Sequence, residues 1–320
     1  NGAIPMFNPN HQKLDMKRRD WGGANTFWAW QVRHYLKQTG DMEFARKVLP
    51  MLDRAIEQTL EEYDPDGNLL IAWGLQIGNQ EDFLANPYEG SVPSMELHNM
   101  LMTRAELSAF TGDTMAADLW YKKADQVKNT LHKKLWIKDL GRFAYYKDPS
   151  GRILPEGQYQ TYLYPAIHQL GNMYDQYSGL RHLEDRLTDK QGAVFVSNNF
   201  AWHVPESVST WGMQRGAAQQ PWAAMGFSAA GMNNMTWKPL MAMARWAQDP
   251  RRPGAWPETG PEPTPAYFTP PAGLYISTVI EALFGLKPDV PGGYMEVSPS
   301  FPDHWPEAEL NLPGTRVLYS

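Results

Sequence analysis

Two Thr-Gly-Asp turns, at residues 39–41 and 111–113, each separate one helix-patterned stretch from the next, and this repetition constrains the fold more than any other feature of the chain. Apolar residues recur at helical spacing through ANTFWAWQVRHYLKQ (24–38) and again through MEFARKVLPMLDRAIEQTLEEY (42–63). Between them the glycine ends one helix and the aspartate caps the next. The same order returns in PSMELHNMLMTRAELSAF (93–110), the second turn and an amphipathic helix running to about Trp136. DPDGNL (64–69) and DPSGRI (148–153) close the two hairpins with proline, glycine and side chains that cap their own backbone. The Thr-Gly-Asp turns lie 72 residues apart (39 to 111) and the Asp-Pro turns 84 apart (64 to 148), a period too long and irregular for a tetratricopeptide or ankyrin array. Further helices are predicted at 158–175, 178–189, 216–231, 235–248 and 272–286, which makes about four and a half hairpins. From Gly293 the chain changes to short β-prone runs between prolines, read as the opening of a β-sandwich. The division expected is a helical domain over 1–290 and the start of a β-rich domain over 291–320, the chain beginning and ending inside structural units as a fragment of a larger polypeptide would.

Composition removes several function classes. The net charge of −6 leaves no basic surplus for a phosphate backbone, so no nucleic-acid partner is expected. With no cysteine there is no thiolate catalysis and no Cys-ligated zinc, and the redox compartment stays open. No apolar run reaches the roughly 18 residues of a membrane span. The histidines show no metal-ligand spacing, His98 reading as a satisfied core residue, and the phosphate-loop, dinucleotide and nucleophile-elbow signatures are absent, so neither a metal nor a cofactor is expected.

The long loops between hairpins hold the unusual chemistry. There are 13 Trp, 15 Tyr and 12 Phe, and most should fill the core. Several, among them Trp21, Trp73, Trp202, Trp211, Trp222, Trp256 and Tyr267, stand instead beside Gly, Pro, Asn or Gln. Sugar rings offer flat C–H faces to aromatics while their hydroxyls seek amides and carboxylates, so these loops suit a carbohydrate. Loops of this length are usually functional.

The order of helix, Thr-Gly-Asp turn, helix and loop resembles the (α/α)6-barrel glycoside hydrolases, in particular the group of processing α-glucosidase I and amylo-α-1,6-glucosidase, with α-L-rhamnosidases more distant. NGAIPMFNPN resembles the segment that leads into that barrel, RRDWGGANTFWAWQVRHYLKQTGD its substrate-facing helix, NQEDFLANPYEGSVPSMELHNML its acid loop, and AWPETGPEPTPAYFTPPAGLYISTVIEALFGL the segment carrying its base glutamate. The likeness covers Asn1 to about Asp303. It implies an all-α, six-hairpin toroid, here incomplete at its N-terminus, completed by the rest of a longer polypeptide or by another chain. The family's usual acid motif embeds an aspartate ahead of an arginine, whereas this chain has Glu81-Asp82 with no arginine following, and AAQQPWAAMGF (217–227) only echoes its Tyr-Trp-Arg segment.

Glycosidic cleavage needs one protonated carboxyl on the leaving oxygen and one ionised carboxylate on water, about 6.5–9.5 Å apart in an inverting enzyme. Adjacent Glu81 and Asp82 project in different directions, so one of them, with Asp82 favoured, would act as acid opposite Glu258 as base; Glu206 is the competing base. Asp20, Trp21, Trp73, Gln80, Trp211, Trp222, Trp256 and Tyr267 are the candidate sugar-binding residues. The predicted activity is an inverting exo-glycosidase, α-glucosidase-like or α-L-rhamnosidase-like. A phosphorylase on the same barrel and a non-catalytic sugar-binding protein remain as alternatives. The compartment is open, a periplasmic or extracellular setting suiting a polysaccharide substrate.

Overall fold

The structure, a computed structural model, describes residues 23–72, 88–197, 215–251, 253–260 and 270–320. Helix α1 (Ala24–Thr39) ends where Gly40 turns left-handed at φ 66° and its N–H caps the Leu36 carbonyl. A Cβ at Gly40 would also lie 2.7 Å from the Val290 side chain, so both backbone conformation and close approach select glycine. Asp41 then accepts from the Phe44 N–H to start α2 (Met42–Tyr63). The second Thr-Gly-Asp turn repeats this between α3 (Ser91–Phe110) and α4 (Thr114–Leu135), with Asp113 accepting from Ala116 N–H.

The expected helices at 158–175 and 178–189 are instead α5 (Tyr159–Ile167) and α6 (Met173–Leu187). Gln169 at φ 54° and Gly171 at φ 77° break the first, and Asn172 with Asp175 forms a reciprocal capping box that starts the second five residues early. The last hairpin is α7 (Gln219–Ala229) with α8 (Asn233–Trp246). A further helix, α9 (Pro270–Thr278), runs on into a π-helical turn at Val279–Leu283.

The inter-helix segments carry short antiparallel strands that helical and turn patterns do not disclose. They are β1 (Glu89–Gly90), β2 (Trp136–Ile137), β3 (Arg142–Phe143), β4 (Tyr146–Lys147), β5 (Ile153–Leu154), β6 (Arg215–Gly216) and β7 (Thr259–Gly260), paired as β1–β4–β5, β2–β3 and β6–β7. The C-terminal tail, expected to be β-rich, holds two two-stranded antiparallel ribbons: β8 (Leu286–Asp289) with β9 (Tyr294–Val297), and β10 (Ala308–Leu312) with β11 (Thr315–Tyr319). The 290/291 division falls in the turn of the first ribbon. Leu310, Leu312, Val317 and Tyr319 share a hydrophobic cluster with Leu240, Leu283 and Phe284, so the second ribbon is built onto the last helices.

Helices α1, α3, α5, α7 and α9 pack one against the next as an inner layer, while α2, α4, α6 and α8 each cover the inner helix of their own hairpin. Polar links show that α1 and α3 run parallel. Thr26 in the first turn of α1 meets Glu96 in the second turn of α3, and Arg33, two turns further along α1, meets Asn99 and Glu106 further along α3. Glu96 also meets Tyr164, in the second turn of α5. The ends of the layer approach each other: Gln38 donates to Glu281 at 2.9 Å, and Val290 N–H to the Lys37 carbonyl at 2.8 Å.

Candidate active site

Parallel α1 and α3 put their N-terminal ends at one end of the layer, where the described residues on either side of segment 73–87 are anchored. The ends of 73–87 are joined by the Gly90 N–H on the Ile71 carbonyl, 3.0 Å, directly before α3. Its exit strand is fixed by Glu89, whose buried carboxylate takes Lys134 at 2.7 Å, Lys147 at 2.8 Å and the Asn68 amide at 2.9 Å. Burial pushes the Glu89 carboxyl up, but the two lysine hydrogen bonds outweigh it and hold it below the usual range. Glu89 is therefore a structural anion and unsuited to be a proton donor.

Segment 198–214 leaves from Val196, whose carbonyl caps the Tyr159 N–H at the start of α5, and re-enters at β6 just before α7. There β6 pairs with β7, Gly216 opposite Thr259 and Arg215 opposite Gly260. The Glu258 carbonyl accepts the Ala217 N–H at 2.9 Å. Glu258, half-buried, thus stands at the N-terminal end of α7, beside the β6–β7 pairing.

Beneath this mouth the inner helices close on a cluster of aromatic side chains. Trp222 of α7 meets Trp30 of α1 edge-on at 4.5 Å, Tyr164 at 6.0 Å and Phe27 at 6.3 Å. His168 sits 4.9 Å from both Trp30 and Tyr164. Trp222, expected to stack a sugar, is 5% exposed, and its indole N–H has no partner among the described residues. Trp256, also expected to bind sugar, has its indole N–H on the Met243 carbonyl at 2.8 Å and its ring against Tyr275, which fixes the segment before Glu258 to α8.

Of the other sequence candidates, Asp20, Trp21, Trp73, Gln80, Glu81, Asp82, Glu206, Trp211 and Tyr267 lie outside the described residues. Among those described, no three His, Asp or Glu side chains stand together to hold a metal, and no helix is long and apolar enough to cross a membrane.

Sequence reasoning missed the polar groups set among these aromatics. Glu96 is 3% exposed, and burial pushes its carboxyl up to about 8, only partly opposed by contacts from Thr26 and Tyr164. Its signal was available: Glu96 is the one formally charged residue in SVPSMELHNMLMT (91–103), a helix segment apolar on every side. Gln160 and Tyr164 of α5 and His168 at its C-cap form an i, i+4, i+8 stripe, and neither the Gln160 amide nor His168 Nε2 has a partner among the described residues. His98, expected to be satisfied, is buried with no partner for Nδ1 among the described residues, and burial, with Lys128 and Arg33 adding, lowers its pKa to about 4.

No protein-family model matches the sequence, and no curated protein does. Among solved structures the chain is similar to a GH78 family rhamnosidase of Bacillus sp. GL1, at 15% identity and TM-score 0.59, over 82% of this chain and 26% of that one. It is similar to a rhamnosidase from Klebsiella oxytoca with rhamnose bound, at 13% identity and TM-score 0.56, over 80% of this chain and 45% of that one. A GH63 mannosylglycerate hydrolase from Thermus thermophilus, in complex with glucose, matches at 14% identity and TM-score 0.58, over 79% and 75%. The fold is that of the six-hairpin glycoside hydrolases. The chain spans about a quarter of the first of these proteins and under half of the second. Rhamnosidases, the more distant resemblance by motif, are as near in structure as the GH63 protein.

Proposed function

We propose that this chain carries the helical domain of a glycoside hydrolase that removes a terminal sugar by an inverting reaction. Glu258 would be the base that activates water, and one member of the Glu81/Asp82 pair, Asp82 first, the acid on the leaving oxygen. The observation that carries this reading is the position of Glu258 at the N-terminal end of α7, joined through the β6–β7 pairing to the start of an inner helix. Segment 73–87, which holds the acid pair, is anchored at the start of α3, and parallel packing sets that end beside the first turn of α1. Two carboxyls on separate loops around one mouth suit the separation an inverting reaction needs, about 6.5–9.5 Å. Asp20, Trp21, Trp73, Gln80, Trp211 and Tyr267 would hold the sugar from the loops, with Trp222 serving as the floor beneath it and Trp256 as the anchor of the Glu258 segment. The substrate class is an α-glucoside, as the motif resemblance suggests, or an α-L-rhamnoside.

A reducing-sugar screen over α-glucosides, α-L-rhamnosides and plant polysaccharide fragments tests the reading. Glu258→Gln, which leaves the backbone carbonyl in place for the Ala217 N–H, should lower turnover by about 10²–10⁴. NMR of the first-formed anomer should show inversion. A Glu258→Gln variant with near wild-type turnover overturns the assignment.

A further inference from the structure

The Thr26 side chain poses a proton-counting problem. Its Oγ1 lies 2.8 Å from the Gly23 carbonyl and 2.6 Å from Glu96 Oε2, and all three oxygens are buried at the start of α1. A threonine hydroxyl has one proton to donate. A carbonyl can only accept, and so can an ionised carboxylate. With Glu96 ionised, one of these two short contacts would set oxygen against oxygen with no hydrogen between them. With Glu96 protonated, its O–H donates to Thr26 Oγ1 and the Thr26 O–H donates to the Gly23 carbonyl, so both contacts are satisfied.

We propose that Glu96 is a positioning residue held as a neutral carboxylic acid, which joins the first turn of α1 to α3 and α5 and keeps the loop mouth above them in register. Thr26 lies a few residues after Asp20 and Trp21, and α3 follows directly on the anchor of segment 73–87. The claim that Glu96 orders catalytic loops rests on the glycosidase reading; the claim about its protonation does not.

The surroundings agree. Titratable groups on the elements packed against α3 include Arg33 of α1, bound to Asn99 and Glu106; Lys37 of α1, beside Glu106; Asp53 of α2, bound to Arg104; Lys128 of α4, acting on His98; Tyr121 of α4, near Glu106; Glu89 of β1, bound to Lys134 and Lys147; and Tyr164 and His168 of α5. Of these only Tyr164 touches the carboxyl, its O–H 3.4 Å from Oε1. Among the described residues no cation neutralises Glu96, so burial favours the uncharged form, with a pKa of about 8.

The sign of the pH effect follows. Folded Glu96 binds its proton more tightly than the unfolded chain, so its contribution to stability is complete below the usual carboxyl pKa and is lost as pH rises through about 8. Glu96→Gln copies the protonated acid: the amide N–H donates to Thr26 and the amide oxygen accepts from Tyr164. The experiment compares wild type, Glu96→Gln and Glu96→Ala in melting temperature and in kcat between about pH 5 and pH 9, with infrared spectra of the wild type for the carbonyl stretch of a buried neutral carboxyl. We expect the Gln variant to gain on wild type in melting temperature as pH rises, and its ratio of kcat at high to neutral pH to exceed that of wild type by several-fold. The Ala variant should be less stable throughout. A Gln variant that is less stable at neutral pH with a gap closing towards pH 4, or a wild type with no neutral-carboxyl band at pH 6, overturns the proposal. The melting and infrared results stand without any turnover, so a failed glycoside screen would refute the proposed function and leave Glu96 separately tested. A Glu258-dependent glycosidase whose alkaline limb is unchanged in Glu96→Gln would refute the positioning role alone.

Discussion

Gln220 pairs with Val194 as one strand pairs with another. Its Oε1 accepts the Val194 N–H at 2.7 Å and its Nε2 donates to the Val194 carbonyl at 2.9 Å, while the same nitrogen reaches the Gly216 carbonyl at 3.0 Å. One buried side chain in the first turn of α7 therefore fixes both the chain entering segment 198–214 and the chain leaving it.

Gln220→Ala should destabilise the protein, because two carbonyls and one N–H in the interior lose their partner at about 1–3 kcal/mol each when no water replaces it. Denaturant titration reads the loss, and amide exchange at Val194 should accelerate far more than exchange within α3. An unchanged exchange rate at Val194 would show that the side chain is not what holds that segment.

Two glycines with the same backbone conformation should respond very differently to alanine. Gly67 at φ 67° has nothing within 4 Å of a new Cβ, so only the left-handed conformation opposes it, roughly 1–2 kcal/mol. Gly285 at φ 69° would place that Cβ 2.1 Å from the Ser298 carbonyl, and Ser298 N–H is itself bonded to Gly285. Gly285→Ala must separate β8 from β9 or move the π-helical turn, and should cost on the order of 3 kcal/mol or more. Equal losses in the two variants by thermal melting would contradict this packing.

Acid should act through His98. Its folded pKa of about 4 lies below the value near 6.5 of an unfolded histidine, so the unfolded chain binds the proton first. The stability it contributes is complete above that value and declines, at about 1.4 kcal/mol per pH unit, as pH falls to about 4. His98→Met removes the titration together with the unpartnered Nδ1. Wild type should therefore lose stability relative to this variant across that window, as read by urea denaturation, and parallel curves would refute it.

Glu89 should behave as a depressed carboxyl. Its contribution with Lys134 and Lys147 is present above the ordinary carboxyl pKa and is lost as pH falls below it. Glu89→Gln should cost roughly 1–3 kcal/mol at neutral pH, because both lysines are partly exposed and can turn to water, and the difference should shrink at about pH 3. A constant difference over that range would mean that the charge contributes nothing.

Much of this architecture was legible in short stretches of the chain. Gly40 and Asp41, then Gly112 and Asp113, act on hydrogen bonds within four residues of themselves, so the two turns and four helices around them could be read to within two residues. The break at Gln169–Asn172 escaped because its strongest element, the Asn172–Asp175 capping box, resembles ordinary loop polarity, and because a glutamine in the left-handed region carries no sequence mark. The loop strands escaped for a related reason. Two-residue ladders such as Glu89–Gly90 with Tyr146–Lys147 depend on partners 56 or more positions away (90 to 146) and show no alternation of their own.

By itself the sequence determined the hairpin rhythm, the absence of thiol chemistry and the aromatic, acid-bearing loops, because these depend on composition and on forces between near neighbours. Only the tertiary structure decided what the polar groups became. Trp222 stands beside Pro and Gln in sequence and is buried in space, because Trp30, 192 positions earlier (30 to 222), rests against it. Glu96 is one acid among many in sequence and a neutral one in space, because α1, α3 and α5 exclude water around it and bring a single hydroxyl proton between two acceptors. Charge state and accessibility are properties of the surroundings, and the surroundings of both residues are assembled from helices far apart in the chain.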